Sequence, residues 1–282
     1  MQAAQKTRAL RLPCLASNQP LLCAAPTDDH GLWTGSAIAI RVVMAFRFAV
    51  YAQTIDDRPV AVCSRDGARM PFSATLPQHS AQLPLTRWSI GAVGVIGNGQ
   101  LQVGADIFTA TRFTPRAVLP SVTLTHDTID RLRSLIDRTE LDLPAELIAE
   151  VTDPNVPLPV AGLIGRGSGL TPTGDDLLIG ILAGQHAMGH RRGELDRVIR
   201  ARLHTTTWLS RNLLDLALQH RFGEPATDLL SALPSSANSW SGAVKAVQAI
   251  GHTSGSALAV GIAAGILRTA TYDSHQRKGT DD

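Results

Sequence analysis

The stretch "GLIGRGSGLTPTGDDLLIGILAG", residues 162–184, joins a loop of glycine and hydroxyl residues to an apolar segment that carries no charge. A second stretch, "IGHTSGSALAVGIAAGIL", residues 250–267, repeats its latter half. Both copies fit the pattern Ser/Thr-G-x-x-L-x-Ile/Val-G-I-x-A-G, starting at Thr173 and at Ser254. The repeat predicts two similar apolar helices, each with a hydroxyl residue suited to cap its first turn.

Each copy also carries two glycines four positions apart, a spacing that puts both on one face of a helix and lets another helix approach closely. We therefore predict that the two helices pack through these faces, with their starts close together. The glycines are Gly180 and Gly184 in the first copy and Gly261 and Gly265 in the second.

Two helix starts that face one cavity would form an anion site, because free N–H groups and helix dipoles point the same way. The alternative is that both stretches are buried core helices with ordinary caps. The predicted anion-binding residues are Gly167, Ser168, Gly169, Thr171, Thr173, Gly174, Thr253, Ser254 and Gly255.

Four charged or titratable residues near these helix starts are the candidate catalytic residues: Arg166, Asp175, Asp176 and His252. The aspartates stand where a phosphate-binding P-loop has lysine and a hydroxyl residue, which argues against a P-loop. They could instead stabilise the first helical turn, orient Arg166 or a substrate NH group, or hold a hydrated Mg²⁺. His252 could donate to an anionic or carbonyl oxygen, or be a plain loop residue.

Three consecutive threonines interrupt a helical pattern in "HTTTWLSRNLLDLALQHRFGEP", residues 204–225. Such runs weaken a helix and often face a polar pocket, which makes Thr207 and Ser210 secondary binding candidates. A solvated kink is the alternative. His186 and His190 are four apart on a predicted helix, but no third ligand is evident, so a metal site is not predicted.

Composition divides the chain into four segments. Residues 1–34 lack periodicity and are predicted to be a flexible tail, and residues 273–282 a disordered one. Residues 35–120 contain short β-branched runs separated by turn signals, whereas residues 121–272 show helical periodicity. We therefore predict an α+β protein: an antiparallel β sandwich or barrel-like domain, followed by an all-α domain with the glycine- and threonine-rich motifs.

The totals exclude several functional classes. A net charge of +2 and an aromatic content of 4% lack the basic surface and stacking platforms typical of nucleic-acid-binding proteins. The longest apolar run, residues 257–267, is roughly half of the ~20 residues that a membrane helix needs. Cys14, Cys23 and Cys63 form no C-x-x-C pair, so we expect a cytoplasmic protein without disulfides or a thiolate zinc site.

Three segments together, "GRGSGLTPTGDDLLIG", "TTTWLSRNLLDLALQHRFGEP" and "IGHTSGSALAVGIAAGIL", resemble the signatures of the bacterial AllH-like family, long classed as uncharacterised or carboxylase-like. The resemblance is dense from about 162 to 267 and thin across 35–120. There the family tends to carry an asparagine-rich turn, where this chain reads "SRDGARMPFSATLPQ". The family's named member is a subunit of oxamate carbamoyltransferase that acts beside two other subunits.

This resemblance implies carbamoyl transfer between carbamoyl phosphate and a small amide or carboxylate, a reaction that depends on positioning and oxyanion stabilisation. Arg166, Thr171, Thr173 and the backbone of residues 254–256 would bind phosphate or carboxylate. His252 would polarise the carbonyl, and Asp175 or Asp176 would orient an amide NH₂. No cofactor is expected, with Mg²⁺ as the weaker alternative. The partners would be a small anionic substrate and further subunits or a second copy of the chain.

Two other functions remain open at this point. In the first, the chain is a non-catalytic subunit whose loop serves as an interface or senses a ligand. In the second, it is a lyase or carboxylase-like enzyme that uses the same anion-binding loop.

Overall fold

The computed structural model describes residues 20–27, 31–190 and 193–278, with side chains described as far as Tyr272. Eight strands of this part form a closed barrel in the order β1-β5-β4-β3-β2-β6-β7-β8. The fold is therefore α+β, and the β part is a barrel rather than a sandwich. The strands are β1 (Leu21–Pro26), β2 (Ile38–Ala45), β3 (Ala49–Thr54), β4 (Pro59–Cys63), β5 (Ser73–Thr75), β6 (Val93–Gly97), β7 (Gln100–Val103) and β8 (Asp106–Thr114).

The barrel is mixed, so the prediction of an antiparallel sheet is wrong at two seams. β1 pairs in parallel with β8, and β4 in parallel with β5, whereas the other neighbours are antiparallel. Hairpins force consecutive strands to be antiparallel. β1 and β8 are far apart in sequence and β4 reaches β5 through residues 64–72, so no tight turn fixes their directions.

The first strand lies inside the segment that was predicted to be a flexible tail, and that prediction is wrong for residues 21–26. Cys23 and Ala25 of β1 are buried, as is Trp33 beyond it, and all three belong to the barrel core. The strand forms no hairpin with β2, because it pairs mainly with β8, the last strand in sequence and its neighbour in the closed barrel. The rest of the prediction for residues 1–19 and 28–30 lies outside the described residues.

The helical part surrounds a central pair of helices, α4 and α9. Both α4 and residues 254–267 of α9 are apolar on nearly every face, which is typical of helices buried on all sides. The α9 backbone continues to Lys278, beyond the point at which a disordered tail was predicted; residues 279–282 lie outside the described residues. The helices are α1 (His126–Asp137), α2 (Ala145–Thr152), α3 (Val160–Leu163), α4 (Thr173–Ala187), α5 (Glu194–Arg202), α6 (Trp208–Leu218), α7 (Glu224–Ala232), α8 (Ala237–Gln248) and α9 (Ser254–Lys278).

Helix α6 joins the barrel to the helical part. Leu209 and Leu213 of α6 pack against the barrel residues Met44, Ala61 and Phe72. A polar contact lies beside this apolar one: Asp57, in the turn between β3 and β4, accepts hydrogen bonds from the Trp208 indole at 3.0 Å and from Arg211. The loop that precedes α6 is thereby held between the barrel and α4. Within the described ranges, no helix is both long and apolar enough to cross a membrane.

Candidate functional site

The starts of α4 and α9 lie side by side, as the repeat predicted. The hydroxyls of Thr171 and Ser254 are 2.7 Å apart, and Thr173 donates to the Thr253 hydroxyl at 3.3 Å. The two contacts join residues that are 83 and 80 positions apart in the chain. Both copies of the motif therefore contribute polar side chains to one place.

The loop before α4 depends on glycines in left-handed backbone conformations. The backbone φ values of Gly165, Gly167 and Gly169 are 71°, 112° and 93°. Residues other than glycine rarely adopt this left-handed region. A Cβ at Gly167 would also lie 2.7 Å from the Thr173 backbone nitrogen. The loop thus folds back over the first turn of α4.

The glycines at the second position of each helix answer a packing need. A Cβ at Gly174 would lie 2.1 Å from the Leu163 carbonyl oxygen, and one at Gly255 would lie 1.8 Å from that of Val247. In each copy the chain's own backbone fills the space that a ligand was predicted to use. These two glycines let the preceding helix pass close to the start of the next one.

Asp175 holds three segments together from a fully buried position. Its Oδ1 accepts from the Gly165 backbone N–H at 2.9 Å, and its Oδ2 accepts from the Thr206 hydroxyl. Burial raises the pKa of this carboxyl, while the hydrogen bonds from Thr206 and Gly165 lower it. Asp175 therefore fixes the glycine loop and the loop before α6 to the first turn of α4.

Asp176 lies at the junction of the two helix starts and is only 7% exposed. Burial raises the pKa of its carboxyl to about 8, the hydroxyls of Ser254 and Thr171 lower it, and the charge of Asp175 raises it. Its Oδ2 atom has no hydrogen-bond partner among the described residues. At neutral pH the group is mostly an uncharged carboxylic acid, able to donate one hydrogen bond and to accept others.

Three of the hydroxyl candidates, Thr173, Thr207 and Ser210, are fixed by the surrounding structure. Thr173 follows Pro172 inside the first turn of α4 and makes no cap, so the predicted capping role is wrong for it. Thr207 caps α6 by accepting from the Ser210 N–H at 3.2 Å, and its hydroxyl donates to the Leu170 carbonyl at 2.5 Å. Ser210 is fully buried beside Asp175.

The remaining predicted residues lie on the outside of the site. Arg166, Ser168 and His252 are exposed. The guanidinium of Arg166 has no hydrogen-bond or ion-pair partner in the described part of the chain, although its backbone carbonyl accepts from Gly174 N–H at 2.8 Å. The site therefore has a buried layer of mutually bonded hydroxyls and carboxyls beneath an exposed layer with an unpaired cation.

Sequence reasoning missed Thr206, whose hydroxyl meets Asp175. The run of three threonines was the available signal. Its spacing alone did not tell which of the three points toward α4, because the segment between α5 and α6 is irregular. Gly165 begins the segment "GRGSGLTPTGDDLLIG". The hydrogen bond that its backbone N–H donates to Asp175 could not be predicted from the residue type.

Metal ligands do not cluster here. Among the described residues, no group of three or more His, Cys, Asp or Glu side chains is placed to hold a metal ion. The ring of His186 stacks on that of His220 at 4.3 Å, and His190 meets the ring of Tyr272 edge-on. A hydrated Mg²⁺ at the aspartate pair stays a prediction.

Residues 163–266 match the family model described as oxamate carbamoyltransferase subunit AllH. Over this segment the chain is AllH-like. The matched region begins at Leu163, whose carbonyl packs on Gly174, and ends at Ile266 in the second motif copy. It therefore contains both halves of the site. The resemblance predicted from the three motifs is thus confirmed for residues 163–266, called the AllH-like segment below. The search of curated proteins and the search of solved structures each returned no match.

Proposed function

We propose that the AllH-like segment binds a small anionic carbamoyl donor or acceptor where α4 and α9 begin, and that it belongs to a carbamoyltransferase. The observation that carries this proposal is the buried Asp176 carboxyl with an unpartnered oxygen at the two adjoining helix starts. A carbamoyl group offers a carbonyl oxygen and an NH₂. An uncharged carboxylic acid complements both, since it donates to the first and accepts from the second.

The exposed layer suits the charged end of such a ligand. Arg166 has no partner to compete for its guanidinium, which matches phosphate and carboxylate geometry. The dipoles of α4 and α9 favour negative charge at their starts. His252 lies two residues before the first residue of α9 and would donate from its ring N–H to the carbamoyl oxygen.

In the proposed reaction, the nitrogen of an amide acceptor attacks the carbamoyl carbon of carbamoyl phosphate. The bond from that carbon to the phosphate oxygen breaks, phosphate leaves with the electron pair, and the proton lost by the attacking nitrogen passes to the departing phosphate. Arg166 would stabilise the departing phosphate, and His252 and Asp176 would stabilise and orient the carbamoyl group.

The test is calorimetric titration of the full chain with carbamoyl phosphate, phosphate and oxamate, comparing wild type with Arg166→Ala. Arg133→Ala is the matched control, because Arg133 is exposed on α1 and makes no ion pair among the described residues. Loss of a charge-assisted hydrogen bond of ~1.5–3 kcal/mol should weaken phosphate binding ~10- to 100-fold in Arg166→Ala only. Absence of binding by all three ligands, or equal loss in both variants, would refute the proposal.

One observation favours the second candidate, a subunit that contributes no chemistry. Leu170 is 41% exposed within the glycine loop, so an exposed apolar side chain lies in the same loop as Arg166. A loop of that kind could dock on another subunit. This function predicts that the purified chain binds the anions without turnover, and that Leu170→Ser impairs assembly with partner subunits rather than anion binding.

A further inference from the structure

A groove lined by arginines follows the seam at which the barrel closes. It consists of two adjoining clefts, and Ala24, Arg69, Thr75 and Arg112 line both. The second cleft has a volume of about 550 Å³ and the first about 70 Å³, so the second has the ~300–1,000 Å³ typical of small-molecule sites.

The groove exists because this seam is thinly paired. β1 and β5 share one register pair, Ala24 with Thr75. On the other side of β1, its register against β8 shifts between Cys23 and Ala24. Such irregularities bend a strand away from its neighbours and are common beside binding sites.

Arginines outnumber carboxylates among the described residues that line the groove. Of the described lining residues, Glu224 is the sole carboxylate, and both its oxygens are bound by Arg69 at 3.2 and 2.9 Å. Arg65 and Arg112 are exposed and make no hydrogen bond or ion pair through their side chains within the described ranges. The lining arginines are Arg65, Arg69, Arg112, Arg116 and Arg221.

We propose that this groove binds a small organic polyanion, a compact molecule with at least two phosphate or carboxylate groups. Guanidinium groups bind both kinds of anion in bidentate geometry. The Thr75 hydroxyl adds a neutral polar partner, and Met70 and Phe222 supply an apolar wall. Small-molecule sites combine these features: an apolar lining with a few polar groups that orient the ligand.

The groove is distinct from the site at the helix starts. The segment before α6 contacts that site, through Thr206 at Asp175 and Thr207 at Leu170, whereas Arg221 and Phe222 follow the end of α6. With 11 residues, that helix places its two ends ~16 Å apart. No described residue of 165–171 or 252–254 lines either cleft. The inference therefore stands independently of the proposed function.

The test uses the full chain and two probes, pyrophosphate for phosphate groups and citrate for carboxylate groups, titrated by calorimetry. Arg112→Ala is compared with Arg41→Ala, since Arg41 is an exposed arginine of the same barrel on β2, away from both clefts and without an ion pair among the described residues. We expect at least one probe to bind at micromolar to low millimolar concentration. Arg112→Ala should weaken it ~10-fold or more, whereas Arg41→Ala leaves it unchanged.

The pattern across probes tells which anionic group the groove prefers, and Arg65→Ala provides a second variant should Arg112→Ala unfold. Binding must also persist in Arg166→Ala, which separates the groove from the helix-start site. The proposal is overturned by the absence of binding by both probes, by equal loss in Arg112→Ala and Arg41→Ala, or by loss in Arg166→Ala alone.

Discussion

Gly180 of α4 and Gly261 of α9 lie against each other, each in the space that the other's Cβ would need. A Cβ at Gly180 would be 2.9 Å from the Gly261 Cα, and one at Gly261 would be 3.0 Å from the Gly180 Cα. One turn further along, a Cβ at Gly184 would meet the backbone of Ile262, and one at Gly265 that of Ile181. The glycines thereby set the distance between the two helices and bring their starts, with the polar residues there, into contact.

Adding a methyl group at this crossing should destabilise the protein. In Gly180→Ala the new Cβ would lie 2.3 Å from the Leu258 carbonyl oxygen, so the helices must separate, at a cost of ~1–3 kcal/mol or more. Urea unfolding of wild type and variant measures this. The control is Gly242→Ala in α8, where the new Cβ meets nothing within 4 Å and better helix propensity should add up to ~1 kcal/mol of stability. A neutral Gly180→Ala would disprove the close crossing.

Arg268 should matter for stability through backbone carbonyls rather than through an ion pair. Its guanidinium donates to the carbonyls of Glu150, Val151, Asp153 and Val156 at the end of α2 and just beyond. Arg268→Ala leaves those acceptors without this donor, and we expect the free energy of unfolding to fall by ~1.5–3 kcal/mol. Arg133→Ala, on the exposed face of α1, should change it by less than ~0.5 kcal/mol. Equal effects would contradict the structure.

Thr206→Val tests whether Asp175 holds the loops together. Valine keeps the shape of threonine but cannot donate to Oδ2, so one hydrogen bond to a buried carboxyl is lost. We expect ~1–3 kcal/mol of destabilisation and faster hydrogen exchange at the Gly165 amide. The pKa of Asp175 should rise further, because a hydrogen bond that lowers it is gone. Thr152→Val, which loses only bonds within its own helix, should leave the Gly165 amide unaffected.

The stability of the protein should fall with rising pH through Asp176. The folded state keeps the Asp176 proton up to a pKa of about 8, whereas the ordinary pKa of an aspartate carboxyl is 3.8. Between these values the folded state binds more protons than the unfolded state. The stabilisation from the raised pKa is therefore complete below about pH 4 and is lost as pH rises to about 8, with a slope of at most ~1.4 kcal/mol per pH unit.

Asp176→Asn removes this titration, so its urea-unfolding free energy should depend less on pH than that of wild type between pH 5 and 8. Asp142→Asn is the control, because Asp142 is exposed and its substitution should leave the slope unchanged. Identical slopes for wild type and Asp176→Asn would show that Asp176 is ionised in the folded protein.

Much of the helical part could be predicted from local patterns. The glycine spacing predicted the α4–α9 crossing, and the shared Ser/Thr-Gly start predicted that Thr171, Ser254 and their neighbours meet. The patterns were less informative about what each side chain does there. Thr173 was predicted to cap α4, but Pro172 occupies the cap position. The Thr173 hydroxyl bonds instead to Thr253 at the neighbouring helix start.

The sequence by itself determined the pairing of the two repeated helices, since residues four apart share a helix face whatever surrounds them. It also determined the glycine loop, because left-handed backbone conformations favour glycine locally. Only the tertiary structure decided the parallel closure of the barrel by β1, the burial that neutralises Asp176, and the arginine groove. Those depend on contacts among segments as distant as residues 24, 69, 112 and 221, and no local periodicity records which distant segments come together.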